Sequence, residues 1–219
     1  MLHGTSSLPH SLRPPMRRDP PVGRPALRSA VLFSAPALGI ALQLIQKEDP
    51  TPTFRYFTIW CAAALCVFAS GILAGVPRLN RCVGVSSSAG VVFSGLVYLA
   101  AIAPVNGLGS RVLTIAANLV LHVVSPAAVA TFAARHLDWV TTMRERWIAL
   151  ALPGSYLFWA ELGSWRGVAP VYTFLDINRV GVAGVVGVAI GAGALFLLIS
   201  SLLSRLAMAN GAATTRSAP

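Results

Sequence analysis

Few side chains in this sequence are suited to chemistry, and they interrupt runs that are otherwise apolar. Arg55 and Thr58 stand in RYFTIW. His122 stands in NLVLHVVSP, with Asn118 one helical turn before it and Ser125 and Pro126 one turn after. Glu161 lies in FWAELG, and Tyr172, Phe174 and Asp176 lie in PVYTFLD. A hydroxyl beside an imidazole can do nucleophilic catalysis, the ring taking the proton of an otherwise weak nucleophile. The same residues have structural readings, which stay open here. Thr58 can bond back to the Phe54 carbonyl, Arg55 can reach headgroups, and His122 can bridge helices. Tyr172 and Phe174 can anchor an interface, with Asp176 solvated.

Composition places these residues in a membrane. The 219-residue chain is 55% hydrophobic and 11% charged, against about 25% charge in soluble domains, and its mean hydropathy is +0.69. The net charge of +10 is almost all arginine, Lys47 being the sole lysine. It is scattered between apolar runs, with no basic stripe carrying aromatics, so it reads as a topology signal and not as a nucleic-acid surface. Cys61, Cys66 and Cys82 form no CxxC pair, which argues against a metal site or a disulfide framework. His122 is the only histidine within an apolar run, so bis-histidine haem and histidine-rich zinc sites are unsupported, and no cofactor is expected. The dominance of alanine, valine, glycine and arginine points to a GC-rich bacterial source.

The elements that must position these groups are helices. A bilayer core needs about 20 apolar residues per helix, and six stretches qualify: 26–45, 53–75, 83–103, 112–133, 147–165 and 180–203. The expected fold is all-α, a polytopic six-helix transmembrane bundle over 26–203. A disordered Pro/Arg-rich tail is expected over 1–25 and a flexible tail over 204–219. Counting Lys and Arg on alternate sides gives twelve against five, with the larger number on the side of both termini. Both termini are therefore expected in the cytoplasm, in a bacterial plasma membrane. Thr51 and Pro52 are expected to start the second span, which puts Thr58 about 9 Å into it; His122 falls about 16 Å beyond Arg111. Ala183, Gly187 and Gly191 form a small-residue stripe suited to close helix packing. Inverted repeats of the transporter type are not evident.

RYFTIW, NLVLHVVSP and PVYTFLD, in this order in a six-span chain, resemble the androgen-induced and androgen-dependent TFPI-regulating (ADTRP) membrane family. That resemblance covers about residues 26–203. It implies a threonine hydrolase of fatty-acid esters of hydroxy fatty acids, with Thr58 as nucleophile, His122 as the essential histidine, and Tyr172, Phe174 and Asp176 in the family's aromatic and acidic loop. Thr173 stands where proline is usual, Asp176 replaces a glutamate, and Pro126 is one residue closer to the histidine. Arg55 is then a candidate for holding a carboxylate or an oxyanion, and Asn118, Glu161 or Asp176 for orienting His122. The expected partners are a membrane lipid substrate and the bilayer. The rival readings are a non-catalytic membrane protein binding a lipid or a partner, and a small transporter centred on His122.

Overall fold

The computed structural model describes residues 23–74, 77–136, 142–168 and 170–216. Every regular element among them is helical: α1 Gly23–Ile45, α2 Phe57–Leu73, α3 Pro77–Val97, the short α4 Ala103–Asn106, α5 Val112–Leu119, α6 Ser125–His136, α7 Met143–Ala149, α8 Ala151–Trp165 and α9 Ile177–Arg216. Among the described residues, three stretches are long and apolar enough to cross a membrane, Val83–Val105, Val112–Phe132 and Ile177–Ala209, while Ala30–Ile45 and Phe57–Leu73 are shorter apolar helices. The basic tail expected over 1–25 lies outside the described residues up to position 22, and α1 has begun by Gly23.

α3 is the hub of the molecule. It packs against α2, α6, α7, α8 and α9. Its buried residues are mostly small, Val85, Ser86, Ser87, Ser88, Ala89, Val91 and Ser94, which lets several neighbours approach its backbone. Serine is tolerable there because Ser87 and Ser94 donate to the carbonyls of Gly84 and Val91 of their own helix, at 3.3 and 3.0 Å. The main core gathers Leu32 of α1, Phe57, Leu65 and Phe68 of α2, Val91 of α3, Val129 of α6 and Tyr156 of α8.

Three expectations need correction. The span foreseen over 147–165 is two helices, α7 and α8, that meet at Leu150. Pro153 has no amide hydrogen for the Ala149 carbonyl, and Ser86 of α3 donates to that oxygen instead, at 2.6 Å. α9 continues beyond residue 203 to Arg216, and Leu203, Ser204 and Ala207 are buried, so the flexible tail foreseen from 204 is helix as far as Arg216. The stripe at Gly187 and Gly191 makes no packing seam among the described residues. A methyl group built on either would meet nothing within 4 Å. One glycine of α9 does serve the backbone: Gly181, at φ +72° and ψ 168°, breaks the helix one turn after its start.

The helix carrying His122 is shaped by proline. Residues Val120–Val124 join α5 to α6 as a π turn, and Tyr98–Ile102 join α3 to α4 in the same way. The Ser125 amide donates to the Val120 carbonyl and the Ala103 amide to the Tyr98 carbonyl, each five residues back. The next residue is proline both times, Pro126 and Pro104. A proline ring collides with the carbonyl four residues back and offers it no donor, and widening the turn by one residue relieves both problems. The turn before Pro126 is therefore of the π form, and Ser125 adds a hydroxyl bond to the Val120 carbonyl at 2.8 Å.

α3 reaches this turn through Gly95. A Cβ there would lie 2.6 Å from Pro126 Cγ and 2.8 Å from the His122 carbonyl oxygen. Gly95→Ala is expected to cost about 1–3 kcal/mol through overpacking against a backbone atom that cannot rotate away. Thermal unfolding of the purified protein in detergent measures this, and an unchanged midpoint would mean the contact is not this tight.

Candidate functional site

Thr58 sits in the first turn of α2, and side chains put it there. Residues Thr51–Arg55 form a 3-10 turn, and Tyr56 is extended at φ −88° and ψ 131° before α2 begins at Phe57. The expected start of the helix at Thr51 and Pro52 is thus displaced, and Thr58 is the second residue of α2, not 9 Å along it. The carbonyls that a continuous helix would use are occupied. Trp60 Nε1 donates to the Phe54 carbonyl at 2.9 Å, and the Tyr156 hydroxyl donates to the Arg55 carbonyl at 2.8 Å. The expected bond from Thr58 to Phe54 is accordingly replaced by the indole. A helix start leaves its first amides without intrahelical acceptors and gives them a positive end, and Thr58 stands at that end, 8% exposed.

His122 lies at the middle of its π turn, 7% exposed. Its ring is stacked on Tyr98, centroids 3.8 Å apart and planes within 5°. The two π turns therefore supply the two faces of one stack. Nδ1 of the ring is buried with no hydrogen-bond partner. A neutral imidazole that donates from one nitrogen presents a lone pair on the other. With its proton on Nε2, the ring leaves Nδ1 as an unpaired, buried acceptor.

Two cavities meet at Thr58. One, of about 890 Å³, is lined by Thr58, His122, Tyr98, Asn118, Tyr172 and Lys47, among others. The second, of about 520 Å³, is almost wholly apolar and is lined by Thr58, Phe93, Tyr156, Leu157, Gly191 and Phe196, among others. Tyr172 and Phe174 line both and stack on each other with centroids 5.2 Å apart. Tyr172 folds back from the loop between α8 and α9. Burial holds its phenol well above the usual range. Tyr172 is therefore a protonated donor beside Thr58. No family model, curated protein or solved structure matches the chain.

The structure brings together five of the residues singled out by sequence, Thr58, Asn118, His122, Tyr172 and Phe174. Three others stand apart, since Arg55, Glu161 and Asp176 are not among the residues lining either cavity. The Asp176 carboxylate accepts the Asn178 amide at 3.0 Å and caps α9, and so does not orient His122. Glu161, on α8, has both carboxylate oxygens buried without a hydrogen-bond partner. Asn118 is spent in a ladder between α1 and α5: Thr114 Oγ1 donates to Gln46 Oε1 at 2.6 Å, Gln46 to Gln43 Oε1 at 3.0 Å, Gln43 to Asn118 Oδ1 at 3.1 Å, and Asn118 to the Leu108 carbonyl at 2.8 Å.

Sequence reasoning missed Tyr98, Lys47, Arg111, Thr53 and the two glutamines, all of which line the polar cavity. The repeated six-residue spacing from Tyr98 to Pro104 and from Val120 to Pro126 was the available signal for the paired turns. Tyr156→Phe removes the hydroxyl that holds the Arg55 carbonyl and leaves the ring in place. A loss of about 1–2 kcal/mol is expected in detergent unfolding. No loss would show that α2 starts at Phe57 without that bond.

Proposed function

We propose that this chain is an intramembrane ester hydrolase of the threonine type, cleaving a fatty-acyl ester of a hydroxy fatty acid or a related lipid, with Thr58 as nucleophile and His122 as base. One observation carries the reading: Thr58 lines both an apolar cavity and a polar cavity that His122 also lines, and Nδ1 of that ring is buried with no partner. An acyl chain in the apolar cavity sets its ester carbonyl beside the Thr58 hydroxyl. His122 takes the hydroxyl proton as oxygen attacks carbon, then returns it to the departing alkoxide, leaving an acyl-threonine. Water attacks that ester, its proton passing through His122 back to Thr58, and the fatty acid leaves. The Tyr172 hydroxyl and the amides of Phe57 and Thr58, which α2 leaves without a helical acceptor while those of Ile59 and Trp60 donate to the Tyr56 carbonyl, are the donors available to the oxyanion. In this reading the chain crosses a bacterial plasma membrane six times with both termini in the cytoplasm, and the resemblance to the ADTRP family noted in the sequence supports the same assignment of roles.

Purified protein assayed against a panel of lipid esters is expected to lose at least about a thousandfold in kcat/KM in Thr58→Ala and in His122→Ala, with unfolding midpoints retained. Tyr172→Phe is expected to lose about a hundredfold to a thousandfold in kcat, as for removal of one oxyanion donor. Activity surviving in folded Thr58→Ala would remove the nucleophile assignment, and an inactive wild type that still binds lipid would favour a lipid-binding protein. For topology, in a background lacking the native cysteines, Leu108→Cys is expected to react with a membrane-impermeant thiol reagent added outside and Arg78→Cys is not; the reverse pattern would invert the orientation.

A further inference from the structure

We propose that the polar cavity contains an anion-binding subsite, built around Lys47 and Arg111, that holds a carboxylate or phosphate at the far end of the ligand whose other end enters the apolar cavity. Its part in turnover rests on the hydrolase reading, and its part in binding does not.

The first observation is charge. Lys47 follows the end of α1 and Arg111 precedes α5, and both line the cavity, whereas none of its other lining residues is acidic. Lys47 is held by cation–π contact, its Nζ 5.2 Å from the centroid of the Tyr56 ring, another wall residue. The second observation is donor direction. The Leu108 carbonyl can only accept, so Asn118 must turn its NH2 to it and its oxygen to Gln43; Gln43 must then donate, which turns its own oxygen to Gln46. Gln46 in turn offers its oxygen to Thr114. Each of the three amides engages its oxygen within the ladder and keeps one N–H uncommitted, and all three line the cavity. The third observation is an unsatisfied group: Thr53, 1% exposed and lining the same cavity, has a buried hydroxyl with no partner.

Two cations, spare amide hydrogens and an idle buried hydroxyl, with no acid among them, form a wall complementary to an anionic oxygen group. A ligand that fills both cavities then carries its anion at Lys47 and Arg111, its scissile ester at Thr58 and its hydrocarbon in the apolar cavity. The polar end is selected by charge, and the apolar end by shape and burial.

The test uses three esters with one acyl chain and three polar ends, a carboxylate, a phosphate monoester and a neutral methyl ester, assayed with the full-length protein in a neutral detergent. Wild type is expected to prefer at least one anionic ester to the neutral one by about tenfold in kcat/KM, the preference shrinking at high salt. Whichever anion is preferred identifies the source. The double variant Lys47→Gln/Arg111→Gln is expected to lose the preference through KM, and the charge-keeping double variant Lys47→Arg/Arg111→Lys to retain it. Arg179→Gln, which removes an exposed charge that does not line the cavity, controls for general electrostatics. Equal use of the three esters by wild type, or an equal loss of preference in Arg179→Gln, would overturn the subsite and leave the hydrolase standing. If wild type cleaves none of them, the hydrolase reading fails and the subsite is decided by binding. Displacement of a fluorescent fatty acid by palmitate but not by methyl palmitate, lost in the Gln double variant, supports it, and displacement indifferent to charge overturns it.

Discussion

Two carbonyl oxygens decide where α2 begins, and the candidate site follows from that decision. A helix continuing from Thr51 would take the Phe54 and Arg55 carbonyls for its own amides. Instead the Trp60 indole and the Tyr156 hydroxyl occupy them, Tyr56 turns extended, and the helix starts again at Phe57. The result is a helix start in the interior of the fold. Such an end is costly wherever its amides meet only hydrocarbon, and it is tolerable where it borders a protein-lined cavity. Here it borders two, with the Tyr172 phenol beside it.

The opposite wall is built by a different constraint with the same logic. Pro104 and Pro126 each deny a hydrogen bond to the turn before them, and each turn widens to the π form. Gly95 lets α3 close against the second of these turns. Tyr98 and His122 are thereby brought face to face from separate helices. Aromatic packing continues around the start of α2, where the Phe57, Trp60 and Tyr172 rings each meet Tyr156 by an edge or a tilted face. Rigid rings on both sides fix the junction of the cavities, while small residues on α3 and glycines on α9 leave room around it.

The polar ladder from Thr114 to Leu108 ties the end of α1 to α5 and holds the cavity open at its polar end. It also explains why Asn118, one turn from His122, does not serve it. A primary amide has few hydrogen-bonding groups, and here one of each kind is committed sideways, to Gln43 and Leu108.

The sequence alone determined that this chain is helical and apolar enough for a membrane, because both follow from composition and from the length of apolar runs. It also singled out Thr58, His122 and Tyr172, because a hydroxyl, an imidazole and a phenol in such runs are too costly to ignore. Only the tertiary structure decided which polar residues share a cavity. Arg55, Glu161 and Asp176 resemble site residues by type and spacing, yet Asp176 is a helix cap and none of the three lines either cavity, whereas Lys47 and Arg111, which look like loop charges, do. The start of α2 and the split between α7 and α8 were equally hidden. Each is set by a side chain from a distant part of the chain, Tyr156 or Ser86, donating to a backbone carbonyl. No local pattern encodes a hydrogen bond whose donor lies 101 residues away.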